Sequence, residues 1–205
     1  MVSIVPLPRT PAPLEGGIAR WYEHELGWAT ADGPPVQLLT GLRFDVLELP
    51  ADAGFALLRR YARTGPVALT GRRMRLLVAA GSADELPGLL DWLEWGGIGL
   101  DLTAAGAGGR MAAPVPPGVS ADLPVTPGPQ GAAGWLRPPE PGREVEPSLP
   151  ALAPVGRCAG PGGVGGTPDL VRLVDAAANA CHRARLVRTN TRAGARTRTQ
   201  ALAFS

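Results

Sequence analysis

Apolar and polar positions repeat with different periods along this chain, and the changes of period divide it into elements. Ile18, Trp21, Tyr22 and Leu26 recur at helical spacing, and Gly27 closes that segment. Trp28 to Leu39, interrupted by Asp-Gly-Pro-Pro, predicts only irregular or edge strand. Arg43 to Leu49 is a strand pattern ended by Pro50. Asp52 can then cap a helix running to Ala62 that brings Phe55, Leu58 and Tyr61 to one side. After the Gly65-Pro66 turn, Val67–Leu69 and Met74–Val78 read as a hairpin joined by Thr-Gly-Arg-Arg. Ser82-Ala-Asp-Glu85 has the capping-box pattern. The helix after it, to Trp95, should bury Leu86, Leu89, Leu90 and Leu93 before Gly96-Gly97 stops it. Ile98–Leu102 and Arg110–Ala113 predict two more strands, and Trp135-Leu136 a last edge strand. Leu170, Leu173, Val174 and Ala177 mark a late helix over 168–187.

Composition then separates core from flanks. A chain of 205 residues suggests one domain plus flanking segments. Its 28 Gly and 23 Pro crowd between Pro114 and Gly166 and thin out over 44–102, so the compact part should lie before the crowded stretch. The expected organisation is a disordered leader over 1–17 and an α+β domain over 18–140, its small mixed or antiparallel sheet flanked by helices. A Pro/Gly-rich linker over 141–167, the helix over 168–187 and an Arg-rich tail over 188–205 follow. Residues 118–130 read as a linker-like excursion and 147–168 as disordered.

Charge is uneven. All 20 basic residues are Arg, which points first to a GC-rich coding bias. Residues 1–182 hold 14 Arg and all 18 acids, whereas 183–205 hold six Arg and no acid. Bulk charge therefore argues against a nucleic-acid surface on the domain. It points instead to Arg183, Arg185, Arg188, Arg192, Arg196 and Arg198 as contacts for nucleic acid. No apolar run approaches the ~20 residues of a membrane span. The early prolines do not suit a signal peptide. Cys158 and Cys181 lack metal-ligand spacing and read as reduced thiols. A cytoplasmic protein with no membrane partner is the expectation.

The candidate chemistry lies among carboxylates. Asp45 and Glu48 are three apart, and on a strand such positions face opposite ways, so one face can present only one of them. The bland alternative puts Asp45 on a solvated face and Glu48 in a surface ion pair with an arginine. His24 and His182 lie away from every candidate motif. No Gly-x-Ser-x-Gly is present, and the glycine run over 160–169 lacks the strand and Lys of a phosphate loop.

The order of elements resembles the N-terminal domain of bifunctional DNA primase/polymerases of the archaeo-eukaryotic superfamily. The likeness covers 18–140 and rests on several points: the helix ending in Gly27-Trp28, the strand over 43–49, Gly71-Arg72-Arg73 before an apolar strand, Gly99-Leu100-Asp101-Leu102, Gly108-Gly109 and Ala113-Pro114. The resemblance implies two-metal nucleotidyl transfer, which needs converging carboxylates. The family's Asp-x-Asp is replaced here, leaving Glu48 and Asp101 as metal candidates, for Mg²⁺ or Mn²⁺ only if a nucleotide site persists. Arg73 stands where the family has a phosphate-contacting His, so Arg72 and Arg73 are the phosphate candidates. The expectation is a degenerate domain without polymerase activity that keeps nucleotide or nucleic-acid binding. The alternative is a non-catalytic interaction protein working through the Arg-rich tail and proline segments. The phrase LLDWLEWGGI also resembles actinobacterial proline-rich proteins, which implies no chemistry. Arg20 to Trp28 resembles the opening helix of glyoxalase-type (vicinal-oxygen-chelate) domains, though no second copy of Leu-Gly-Trp follows.

Overall fold

The structure is a computed structural model. It describes residues 14–31, 33, 35–61, 64–117, 133–152 and 169–201, with the side chains of 14–16 and 192–201 left aside. The expected excursion over 118–130, residues 1–13 of the leader and residues 153–168 of the linker lie outside the described residues.

The fold is α+β. Along the chain come α1 (Leu14–Glu25), β1 (Thr30–Ala31), β2 (Gln37–Leu39), β3 (Asp45–Pro50), α2 (Ala51–Arg60), β4 (Val67–Thr70), β5 (Arg73–Val78) and α3 (Ser82–Trp92). After them come β6 (Thr103–Ala105), β7 (Arg110–Ala112), β8 (Ala133–Arg137) and α4 (Leu170–Ala201). A five-stranded antiparallel sheet has the order β6-β3-β5-β4-β8, and a three-stranded one the order β1-β2-β7.

Alternation along β3 and β5 explains the layering. Leu47, Leu49, Met74, Leu76 and Val78 face one way, onto Leu57 of α2, Leu86 of α3, and Leu173, Val174 and Ala177 of α4. Val46 and Leu77 face the other way, into a second core with Phe44, Tyr22 and Trp28, plus Leu38 and Met111 of the small sheet. Because both faces of the large sheet are covered, apolar residues stand on both sides of β3 and β5. Tyr22 is the hub of the second core. Its hydroxyl donates to the Pro114 carbonyl (2.7 Å) and accepts from Trp135 Nε1 (2.8 Å), and its ring stacks 5.8 Å from Trp28.

Two loops lock the sheets together. The Thr40 amide donates to the Gly109 carbonyl at 3.1 Å, and the Thr40 hydroxyl donates to the Gly106 carbonyl at 2.6 Å. Gly41 takes φ +87°, and a Cβ there would fall 2.2 Å from Ala107 Cα, so main chain packs on main chain.

Several expectations are corrected. The strand expected over Ile98–Leu102 lies instead at Thr103–Ala105, because Leu100 and Leu102 turn into the helical core. In α2 the buried residues are Ala53, Gly54 and Leu57, whereas Phe55 is 42% exposed. Small residues are needed there: a Cβ on Gly54 would lie 2.3 Å from the Met74 sulfur. Asp52 does not cap α2 through the expected side-chain bond across the turn; within the helix its carboxylate accepts from the adjacent Ala53 amide. Ser82 is not a capping residue either, since the N-cap of α3 is Gly81. Nor do Gly96 and Gly97 stop α3. Glu94 does, at φ +65°, with the Trp95 amide bonded to the Leu90 carbonyl (2.8 Å). Residues 147–152 are ordered: Leu149 is fully buried, the Ala79 amide donates to the Pro150 carbonyl, and Ala151 bridges to Asp169. Helix α1 begins at Leu14 rather than Ile18, and α4 continues past residue 187 to Ala201.

Candidate functional site

The antiparallel register of β3 and β5 sets Glu48 opposite Arg75 and Pro50 opposite Arg73. Both arginines therefore reach one carboxylate: Arg73 Nε donates to Glu48 Oε1 at 2.9 Å, and Arg75 Nε donates to Oε2 at 2.7 Å. Arg73 also extends Nη1 to Asp101 Oδ1 at 2.6 Å. Partial burial would raise the Glu48 pKa, but the hydrogen bonds and charges of Arg75 and Arg73 outweigh it and hold the carboxyl below its ordinary range. The same network holds the Arg73 pKa above its usual value, against the effect of burial.

Glu48 and Asp101, the pair left by the family resemblance, are thus brought together, but through a guanidinium. Arg73 and Arg75 balance the two carboxylates, giving a neutral cluster in which the positive charge is already supplied. As the alternation along the strand requires, Asp45 lies on the other side of β3, with the helices. It is not solvated as expected but fully buried, and its Oδ2 accepts from the Ala83 amide at 2.8 Å. Among the described residues, no group of three or more His, Cys, Asp or Glu could hold a metal ion. Glu48 and Asp101 remain the carboxylates nearest to such a role, with Arg73 between them.

Arg72 is exposed in the hairpin turn, and its carbonyl accepts from the Ala51 amide that opens α2. Helix α4 crosses the same end of the domain. Cys181 Sγ lies 3.7 Å from the Asp101 carbonyl, Arg185 donates to the Gly99 carbonyl, and Arg188 pairs with Asp52 at 3.9 Å. Two sets of arginines far apart in sequence, Arg72–Arg73 and Arg185–Arg188, therefore approach one end of the molecule. Arg183 points elsewhere, into a groove of about 490 Å³ between α2 and α4 that Arg60 also lines. Positions 192, 196 and 198 continue along α4.

Sequence reasoning missed two features. One is the groove just named, whose floor of Ala53, Ala56, Ala176 and Ala180 carries no strong pattern. The other is a cleft of about 650 Å³ beside β8, where Arg137 is held by the carbonyl and hydroxyl of Thr64. Of the histidines, His24 is exposed and His182 lies against the Trp95 ring, 5.9 Å between centroids. No helix among the described residues is long and apolar enough to cross a membrane.

Comparison with known proteins gives no match to this chain among protein families, curated sequences or solved structures.

Proposed function

We propose that this chain is a non-catalytic binding domain on a primase/polymerase-like scaffold, and that the arginine-rich half of α4 contacts the phosphate backbone of nucleic acid. The observation that carries the reading is the continuity of α4. After Asp175 the sequence has six Arg and no acid, and the helix runs on to Ala201. Positions 185, 188, 192 and 196 recur three or four apart, which on a helix makes a single stripe. Such a stripe favours a polyanion through counterion release and reads no base sequence. The non-catalytic part of the reading is supported by Arg73, which fills the space between Glu48 and Asp101. A cytoplasmic setting belongs to the same proposal.

The test is fluorescence polarisation with single- and double-stranded oligonucleotides across a salt series. The triple substitution Arg192→Gln, Arg196→Gln, Arg198→Gln should lower the salt slope of log K by about 2–3, at roughly 0.7–0.9 for each phosphate that is no longer neutralised. An unchanged affinity and slope would end the proposal.

A further inference from the structure

The outward face of α3 is chemically one-sided. Asp84, Glu85, Asp91 and Trp92 stand exposed on it, and Glu94 and Ile98 extend it past the helix end. Trp92 keeps 73% of its surface in water and Ile98 keeps 37%. Between Arg75 and Arg110 the sequence holds no basic residue to balance these carboxylates. Gly88 lies one turn from both Asp84 and Trp92, and a Cβ on it would meet nothing in its own chain. Glycine inside a helix costs about 1 kcal/mol relative to Ala, and no contact within the domain requires it here. Glu94 keeps a carboxylate at φ +65°, where Gly would be less strained. An exposed tryptophan beside a side-chain-free notch, ringed by unbalanced carboxylates, suits the close approach of a basic helix.

We propose that this face receives the arginine-rich end of α4 from a second copy of the chain. The complement is present in the same sequence: past Arg185 and Arg188, which bond within their own chain, α4 carries Arg192, Arg196 and Arg198 and no acid, and Leu186 (50% exposed) and Val187 (65% exposed) stand in water shortly before them. Beyond residue 188 the helix contains Gly194 and four threonines. These are poor helix formers, so a partner surface would add to the stability of this end of the helix. A chain cannot satisfy its own α3 in this way. Its α4 is one continuous helix packed on the inward side of α3, through the core shared by Leu86, Leu173 and Val174. Docking therefore pairs two copies reciprocally or links them head to tail. The inference goes beyond nucleic-acid binding and does not need it. Where both occur they compete, because the carboxylates of α3 would take the place of phosphates against the same arginines.

Sedimentation velocity on the full chain tests this. At low salt the mean mass should rise with protein concentration, and at high salt it should fall to that of the monomer. Trp92→Ala, and separately Glu85→Lys with Glu94→Lys, should weaken association by at least about tenfold, the equivalent of 1.4 kcal/mol. All these residues are exposed, so an unchanged circular dichroism spectrum should accompany the weakening. Mixing the Glu85→Lys, Glu94→Lys chain with an Arg192→Glu, Arg196→Glu, Arg198→Glu chain should restore association that neither shows alone. A wild-type chain that stays monomeric at low salt overturns the proposal, as does association that no α3 substitution weakens. Oligonucleotide affinity, measured on the Trp92→Ala chain, should persist. A wild-type chain that binds no oligonucleotide would count against the nucleic-acid reading and not against this one.

Discussion

Asp45 accepts the backbone amide of Ala83 at 2.8 Å, so a strand carboxylate from 38 residues upstream caps helix α3. Gly81 at the N-cap offers no side chain, and Ser82 makes no capping bond. The carboxylate also sits at the positive end of the helix dipole. Asp45→Ala should cost about 1–3 kcal/mol, because it strands a part-buried amide donor. Gly106→Ala should act on the same contact, since its Cβ would fall 2.8 Å from Ala83 Cβ and 3.3 Å from Asp45 Oδ2. Thermal unfolding of the two single variants and the double should show less than additive losses.

Arg73 joins Glu48 and Asp101, and this bears on nucleotide binding. Millimolar ATP or dNTP with Mn²⁺ should leave the melting temperature of the wild-type chain unchanged, because the positive charge a metal would bring is already present. A rise in Tm that Glu48→Ala with Asp101→Ala abolishes would show a working metal–nucleotide site and would refute the non-catalytic reading.

Acid should weaken this cluster in a predictable direction. The folded-state pKa of Glu48 lies below its ordinary value of 4.5. Its contribution to stability is therefore complete above that value and disappears as pH falls through the lower folded value. Denaturant unfolding of wild type and Glu48→Gln, compared between neutral pH and acid below 4.5, should show the two stabilities converging as pH falls. A gap that stays constant would contradict the ion-pair account.

Burial, and secondarily the charge of Asp101, push the Cys181 thiol up to about 12. In a Cys158→Ser background, Cys181 should resist iodoacetamide at mildly alkaline pH and react once the chain is unfolded. The sign for stability is the reverse of that for Glu48. An unfolded thiol ionises near pH ~8.5, so stability should decline as pH rises from there towards about 12.

The sequence revealed elements where a strong period met a covered face, and hid contacts made at a distance. Strand β3, the β4–β5 hairpin, the Tyr22–Leu26 side of α1 and the start of α4 all follow from spacing. The separation of Asp45 from Glu48 follows from strand alternation; the pairing of Glu48 with an arginine is expected from sequence only as the bland alternative, and the β3–β5 register is what sets it. Asp45 as a cap was not legible, because its partner lies across the fold and nothing local marks it. On α2, Leu58 and Tyr61 pack against the core as their spacing suggests, but Phe55 does not, and the small Ala53 and Gly54 that fit against Met74 carry no strong pattern. Ile98 to Leu102 looked like a strand on apolar content, while the weakly patterned Thr103–Ala105 pairs with β3. Among the prolines of 147–150, no pattern marks the anchors, which are buried Leu149 and the Pro150 carbonyl that accepts from Ala79.

Gly41 and Ala107 touch through their backbones, and that contact restricts how this chain can diverge. Where side chains meet, one substitution can compensate another. Here no change of residue could make up for an added or deleted position in either connection, since the two sheets are registered by chain length itself. Variants of this domain should accept exchanges over most of their outer surface while keeping the spacing from Thr40 to Phe44 and from Gly106 to Gly109 invariant.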